Sequence, residues 1–403
     1  MPVKKILSED VEIGMVVSSL DRPWSETPFL FQGFQVRDTS EIEELKKQAE
    51  YVYILVPDEE IVMSRDSYTS SQPTSYSGII GQEHYPITDD AEEELRIARH
   101  SHDEISHLVM EIENILRSDQ ELEMEKIEDS IEFMVDSIIR NPDAYIWLTQ
   151  IQQYDSYTYR QSLSASVWAT ATGRELGFPR EKLHTLATGT LLMDVGNTAL
   201  PVELLQKKSR LSHDEWLLIK SHVEKGVQIL STTPGISPDV IDIVWTHHER
   251  LDGSGYPGGL RGSQIPIMGQ IAGMVNFYVA VTIPRPHLEA ISPSQALQML
   301  YNQQGRQFDK ALVEKFIQAL STYPSGSLVE LSTGEIGVVM SQNKGLRLRP
   351  NVILLLNPDK EPYGSYPIIN LAQEAYDKDG NPLNIVKTLA NGKYGLNVEE
   401  LSL

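Results

Sequence analysis

The chain has 403 residues, a formal net charge of −23 and no cysteine. The absence of cysteine excludes disulfides, thiolate metal sites and cysteine nucleophiles. The acidic balance argues against a nucleic-acid partner, because nonspecific contact with phosphates requires a surplus of Lys and Arg. The length suggests two or three domains, and 40% of hydrophobic residues is typical of globular proteins.

A small N-terminal domain of mixed α and β structure is predicted over residues 1–63. β-Branched and aromatic residues favour strands at Met15–Ser19 and Tyr51–Val56, and Glu41–Lys47 fits a short helix between them. Four aromatic residues are concentrated in this region: Trp24, Phe29, Phe31 and Phe34. We interpret them as the core of the domain, and a partner-binding surface is the alternative.

A flexible linker and an acidic helical connector are predicted next. Residues 64–90 are rich in Ser, Thr and Gly and lack a hydrophobic period, which is typical of a linker. Residues 91–142 contain two expected helices, Ala91–Arg117 and Leu122–Arg140, and the second ends before Asn141-Pro142. Their acidic faces are interpreted as solvated, and long helices ahead of the next domain are consistent with a homodimer.

A helical bundle over residues 143–323 and a β-rich extension over residues 324–403 complete the predicted fold, which is mainly α. In the extension, Ser327–Met340 alternates around a Thr-Gly turn. Leu346–Asn357 supplies another predicted strand.

Neither a membrane span nor a signal peptide is expected. Ile265–Pro284 is the stretch most similar to a span, but its polar, Gly and Pro positions favour a buried core helix. The first ten residues turn acidic without an apolar stretch, so the protein is predicted to be cytoplasmic.

The stretch Val244–Leu260 reads V-W-T-H-H-E-R-L-D-G-S-G-Y-P-G-G-L and contains the strongest functional signal. Neighbouring side chains on a helix point about 100° apart, so adjacent His247 and His248 rarely both serve a packed core. At a helix end that breaks into a glycine turn, both rings can reach one point. The stretch therefore predicts metal ligands beside a loop of Gly253, Gly255, Tyr256 and Pro257.

This string resembles the signature of the HD-GYP family of bacterial cyclic di-GMP phosphodiesterases. The run Leu20–Phe34 is similar to an uncharacterised domain that precedes some HD-GYP domains. The resemblance implies an HD-superfamily helical bundle with a small N-terminal α+β domain and a C-terminal β appendage. It also implies a two-metal centre that activates a bridging water and clamps phosphoryl oxygens.

The family pattern, placed on this chain, divides the expected metal ligands into two groups. Asp194, His222, His247 and His248 match the complete set of the second metal. The three positions that the pattern gives to the first metal alone hold Gln161, Met193 and Asn276. These residues replace two histidines and an aspartate. Methionine has little affinity for hard divalent ions, and the two amides are neutral donors.

Two further positions concern the phosphate of a ligand. Asn197 stands where the family has a lysine, so a positive charge is missing there. Arg285, followed by Pro286, matches a pair associated with the substrate phosphate. The resemblance also assigns ligand binding to Gly253, Gly255, Tyr256 and Pro257.

The leading hypothesis is a degenerate HD-GYP protein in bacterial cyclic di-GMP signalling. It would be catalytically impaired and would bind cyclic di-GMP, or a signalling partner through the Gly-Tyr-Pro face. One divalent transition metal (Fe, Mn, Zn or Ni) or none is expected. The alternative is a residual single-metal phosphodiesterase that hydrolyses cyclic di-GMP or a related phosphoester. A third hypothesis is a scaffold in which the acidic helices at residues 91–140 and the N-terminal aromatic unit bind partners.

Overall fold

The structure is a computed structural model that describes most of the chain. The described residues are 3–12, 15–20, 34–36, 39–55, 81, 83–118, 120, 122–151, 157–207, 209, 211–283, 290–321, 323–343, 346, 348–373, 376–377, 380–389, 391–396 and 398. Most of the predicted linker and the aromatic residues Trp24, Phe29 and Phe31 lie outside these ranges, so their interpretation stays a prediction.

The N-terminal region forms a four-stranded antiparallel sheet with one helix. Its strands are β1 (Val3–Leu7), β2 (Val16–Leu20), β3 (Phe34–Gln35) and β4 (Tyr51–Leu55), in the order β1-β4-β2-β3, and its helix is α1 (Thr39–Gln48). Leu45 of α1 packs with Val17 and Val52 of the sheet in a small core of their own. The two predicted strands and the predicted helix are confirmed, with bounds shifted by one or two residues.

Three helices precede the bundle and are tied together by a buried charge. They are α2 (Ala91–Arg117), α3 (Met124–Arg140) and α4 (Pro142–Ile151). The two predicted connector helices are confirmed, although the second begins two residues later than expected. Glu94 of α2 is fully buried and accepts hydrogen bonds from Arg140 (Nε, 2.8 Å) and Ser137 (Oγ, 2.6 Å) of α3. Because a buried carboxylate requires partners, this contact fixes α2 against α3.

In the part of the chain that the structure describes, nine further helices form the bundle. They are α5 (Tyr157–Glu175), α6 (Arg180–Leu192), α7 (Val202–Leu205), α8 (His213–Lys220), α9 (His222–Ser231), α10 (Pro238–Thr246), α11 (Ile267–Thr282), α12 (Pro293–Gln303) and α13 (Lys310–Leu320). One continuous apolar core joins α2–α6 to α9–α13. The predicted core helix is confirmed as α11, most of whose residues are buried. No helix in the described ranges is long and apolar enough to cross a membrane.

A five-stranded antiparallel sheet follows the bundle. Its strands are β5 (Leu328–Leu331), β6 (Ile336–Ser341), β7 (Asn351–Leu356), β8 (Ile368–Asn370) and β9 (Ile385–Leu389), in the order β8-β7-β6-β5-β9. The predicted hairpin is confirmed, with Gly334 at φ 88° in the Thr-Gly turn. Buried Asp143 of α4 accepts hydrogen bonds from Ser325 Oγ (3.0 Å) and the Gln342 backbone N–H (2.9 Å), which connects bundle and sheet.

One close backbone approach positions α9. The short 3₁₀ segment Val195–Ala199 runs directly beneath the start of this helix. A Cβ on Gly196 would lie 1.9 Å from the His222 carbonyl oxygen and 2.5 Å from the Gly226 nitrogen. Only glycine fits at residue 196, because any side chain would push α9 and the side chain of its first residue away.

We therefore expect Gly196→Ala to lower the free energy of unfolding by about 1–3 kcal/mol or more, as overpacking of a close contact does. Gly364→Ala is the matched control, because nothing lies within 4 Å of the added Cβ. It should change the free energy of unfolding by less than about 0.5 kcal/mol. Chemical denaturation checks both, and equal stability of the two variants would contradict the packing argument.

Candidate metal centre

Four predicted ligands converge at one point of the bundle. Asp194 follows α6, His222 is the first residue of α9, and His247 and His248 form the turn that ends α10. One donor atom from each of the four lies within 4.8 Å of the other three. Among the described residues, this is the group of His, Asp and Glu side chains that could hold a metal ion. The predicted convergence of the two adjacent histidines at a helix end is confirmed.

The orientation of two imidazoles is fixed by backbone carbonyls. Nδ1 of His222 donates to the Ile219 oxygen, and Nδ1 of His247 donates to the Val244 oxygen, both at 2.7 Å. In the neutral ring, a proton on Nδ1 leaves a lone pair on Nε2. Metal-binding histidines are commonly held by such contacts to backbone carbonyls.

Three lone-pair atoms consequently face one another. Nε2 of His222 lies 3.3 Å from Asp194 Oδ1 and 3.4 Å from His247 Nε2. Nε2 of His247 lies 3.8 Å from the same carboxylate oxygen. Three acceptors at these distances repel one another unless a proton or a metal ion lies between them. The donor set of three imidazoles and a carboxylate fits a divalent transition metal.

Burial and the Asp194 charge set the protonation of this cluster. Burial raises the pKa of Asp194, but the hydrogen bonds and positive charge that His222 and His247 supply when protonated outweigh it and hold the pKa well below its usual range. Burial lowers the pKa of His247 and, more strongly, of His248. For His222 burial also acts downward, but the Asp194 hydrogen bond and charge raise the pKa. The group therefore offers an ionised carboxylate and at least two neutral imidazoles near neutral pH.

Amide side chains also contact Asp194. Nε2 of Gln161 donates to Asp194 Oδ2 at 3.1 Å and to Asn276 Oδ1 at 2.9 Å. Because a carboxylate oxygen only accepts, the amide orientation of Gln161 is determined, and with it that of Asn276. Nδ2 of Asn197 lies 3.4 Å from Asp194 Oδ1, and Met193 is fully buried in the apolar core.

The glycine loop is held by a residue whose role sequence reasoning missed. Glu249 is buried, and its two carboxylate oxygens accept the backbone N–H groups of Gly258 (2.6 Å) and Leu260 (2.9 Å). A Cβ on Gly255 would lie 2.4 Å from the Glu249 Cα, so the loop folds directly onto this residue. The available signal was a charged residue directly after the two histidines.

The same loop places an aromatic side chain on the metal centre. The Tyr256 ring stacks on His248 with centroids 4.5 Å apart and planes at 19°. Lys220 Nζ lies 4.9 Å from the Tyr256 centroid and 5.6 Å from that of exposed Trp216. Neither Lys220 nor Trp216 was singled out in the sequence, since an exposed aromatic residue on a short helix has no periodic signal.

The remaining predicted binding residues have different outcomes. Arg285 lies outside the described residues. Gly253, Gly255, Tyr256 and Pro257 lie beside the metal centre, with Gly253 at φ 76° and a cis Tyr256–Pro257 peptide bond. Their role in ligand binding stays a prediction, as do the partner-protein contact and the homodimer.

Three family models match the chain in succession. The model of a domain of unknown function, DUF3391, matches residues 3–127, and an HD domain matches residues 147–312. A KOW domain associated with the HD domain matches residues 328–389. Residues 147–312 therefore match an HD domain, and both resemblances recognised in the sequence are confirmed. The domain boundaries drawn from the sequence stay predictions.

The chain is similar to cyclic di-GMP phosphodiesterases. One from Pseudomonas aeruginosa is 28% identical over 358 residues, which cover 87% of this chain and 84% of the relative. The cyclic di-GMP phosphodiesterase response regulator RpfG of Xanthomonas campestris is 34% identical over 151 residues, 37% of this chain and 40% of the relative. A solved HDG"Y"P protein from Bdellovibrio bacteriovorus is 19% identical, with a TM-score of 0.47, and covers 79% of this chain and 99% of that chain.

The geometry generates a prediction about metal content. We expect about one equivalent of a divalent transition metal in protein purified without chelator, since three imidazoles and one carboxylate complete a four-ligand set. His248→Ala should abolish metal binding. His213→Ala, which changes an exposed histidine of α8, should leave the metal content unchanged. Elemental analysis measures this, with thermal unfolding as a check on folding. A wild-type protein that neither contains nor takes up metal would contradict the prediction.

Proposed function

We propose that the protein binds cyclic di-GMP beside a single metal ion held by Asp194, His222, His247 and His248, and hydrolyses it inefficiently or not at all. The proposal has two parts, the ligand and the loss of efficient catalysis. Both concern the same face of the bundle, where the Gly-Tyr-Pro loop adjoins the four ligands.

The observation that carries the second part is the position of the Gln161 amide. Its nitrogen lies between Asp194 and Asn276, at hydrogen-bond distance from both. By the family pattern, these residues belong to the site of a first metal. An N–H donor stabilises the carboxylate without supplying the charge or Lewis acidity of a cation. The two-metal clamp on a phosphodiester therefore lacks one of its halves.

The remaining half retains a defined chemistry. A divalent metal held there would act as a Lewis acid toward a phosphoryl oxygen. The carbonyls of Ile219 and Val244 keep two imidazoles in the ligating tautomer, and Glu249 holds the loop against the ligands. His222 and His247 are buried and His248 is half-buried, which excludes bulk water from one side of the site. These residues support binding and orientation of a phosphoester.

The proposed ligand is supported by the relatives. The similarity to the Pseudomonas phosphodiesterase extends over most of both chains, whereas the similarity to RpfG covers less than half of either. Cyclic di-GMP, the substrate of these relatives, is proposed here as a ligand, because the matching metal-ligand positions are those of one metal only. A residual single-metal phosphodiesterase is the alternative outcome of the test.

The test combines binding and turnover on the full chain. We expect isothermal titration calorimetry to detect cyclic di-GMP binding that is weakened by His248→Ala. Hydrolysis should be slower than in an enzyme with two metals by roughly a thousandfold, the effect of losing about 4 kcal/mol of transition-state stabilisation. Efficient multiple turnovers that disappear in His248→Ala would contradict the proposed loss of catalysis. If metal-loaded protein does not bind cyclic di-GMP, the proposed ligand is wrong.

A reconstitution experiment tests the residues directly. The combination of Gln161→His, Met193→His and Asn276→Asp restores the ligand types that the family pattern places there. We expect this variant to bind about two equivalents of metal and to gain hydrolysis, since a bridging Asp194 can then serve two ions.

Two controls accompany the reconstitution. Gln161→Ala removes the amide without adding a ligand, and should not increase metal content or turnover. The pair Gln161→His and Asn276→Asp leaves the buried Met193 intact, in case the triple variant is unstable. If folded variants bind no second metal, the three positions do not account for the impaired chemistry.

A further inference from the structure

A cavity of about 290 Å³ adjoins the candidate metal centre on the side away from the histidines. Ligand-binding pockets have volumes of roughly 300–1,000 Å³, so this one fits a small ligand or one part of a larger one. Its walls are α2 on one side and the segment that follows α6 on the other. Its polar lining residues are Glu113, Asn114, Arg117, Ser162, Asp194 and Asn197, with Thr198 beside them.

One cation and two acids line this cavity. Arg117, the last residue of α2, has a side chain 27% exposed, and its Nε lies 3.0 Å from Glu113 Oε1. Its Nη1 donates to the Thr198 carbonyl oxygen at 3.0 Å, and both residues line the cavity. Among the described residues, Nη2 makes no further hydrogen bond. A guanidinium fixed at two nitrogens is preorganised to bind an oxyanion with the others.

We propose that this cavity binds a phosphate group of a nucleotide and that Arg117 is its anion-binding residue. The proposal deepens the proposed function and rests on it for the identity of the ligand as a nucleotide. The neutral donors Asn114, Ser162 and Asn197 surround the same space and can hydrogen-bond phosphate oxygens. A phosphate there lies next to Asp194, the carboxylate shared with the metal centre.

Two carboxylates oppose an anion in this cavity, and each has a compensating partner. Glu113 pairs with Arg117 itself, and the Asp194 charge is offset by the imidazoles and by a metal bound there. Neutralising Glu113 should therefore strengthen anion binding if Arg117 binds the anion. If the Glu113–Arg117 ion pair only stabilises the helix, the same change should leave anion affinity unchanged. The effect on affinity thus separates ligand binding from a purely structural contact.

The cavity is assembled from two of the matched family domains. Arg117 and Glu113 lie within the stretch matched by DUF3391, and Asp194 and Asn197 lie within the HD domain. The domain of unknown function would accordingly contribute a binding residue to the HD domain's site. This gives α2 a role in ligand binding beyond its packing in the bundle core.

The test uses the full chain with inorganic phosphate and cyclic di-GMP as probes in isothermal titration calorimetry. Arg117→Ala should weaken binding of both by about tenfold or more, the effect of one charge-assisted hydrogen bond. Glu113→Gln should strengthen phosphate binding. The matched control is Arg99→Ala, an exposed arginine of the same helix roughly 27 Å away along its axis.

A second variant covers the case in which Arg117→Ala disturbs folding. Arg117 also borders a neighbouring groove, whereas Asn114 lines the cavity at Asp194 and not that groove. Asn114→Asp adds a negative charge there with nearly unchanged shape, and should weaken phosphate binding. Unchanged affinities in Arg117→Ala and Asn114→Asp would overturn the proposal, as would wild-type protein that binds neither probe.

Metal analysis on the same samples distinguishes the two proposals. If metal and cyclic di-GMP bind normally in Arg117→Ala, the cavity proposal fails and the proposed function stands. If phosphate binding follows the expected pattern in wild-type protein that neither contains nor takes up metal, the cavity proposal stands. The metal part of the proposed function then fails.

Discussion

The buried carboxylate of Asp194 is the constraint on which the rest of the site depends. A charge removed from water costs several kcal/mol unless it is paired and hydrogen-bonded. Asp194 Oδ1 faces His222 and His247, and its Oδ2 accepts from Gln161. Every residue that meets this carboxylate either carries potential positive charge or donates an N–H group. A proton shared among these atoms satisfies the centre, and a divalent cation would be held by the same atoms of Asp194, His222 and His247.

The backbone around the carboxylate is shaped to bring these partners together. Gly196 allows α9 to begin directly above the segment that carries Asp194, so His222 arrives at the right depth. Gly255 allows the loop after α10 to fold back on Glu249, which fixes Tyr256 against His248. In sequence, Gly196 lies between two ligands and Gly255 follows the last of them. Their absence of side chains is what makes convergence of separate helices possible.

Long periodic elements could be predicted from the sequence because local signals define them. The bounds of α2 agree with the prediction, since a polar start and a regular apolar face specify a long helix. The strand β7 begins at Asn351, five residues later than predicted, because strand propensity does not reveal where pairing with β6 starts. Irregular segments between elements were the least predictable part.

The residues of the candidate site could likewise be predicted only where a local sequence pattern or the family pattern specifies them. Adjacent His247 and His248 at a helix end predict a shared point, whereas Asp194 and His222 could be assigned only through the family pattern. The bridge from Gln161 to Asn276 joins residues 115 positions apart, and no local pattern specifies such a contact. The position of Arg117 beside Asp194 is likewise a consequence of how α2 packs, which depends on the whole core.

Charge explains why separate elements must cooperate at this point. With a net charge of −23, the chain as a whole repels an anionic nucleotide, so attraction has to be local. Within the described site, positive charge comes from Arg117 and Lys220, and a cation held by the histidines would add to it. Of the three positions that the family pattern gives to the first metal, only Asn276 stands in place of a carboxylate. Under the proposed function, attraction of a phosphate therefore depends on Arg117, on Lys220 and on the cation that the histidines would hold.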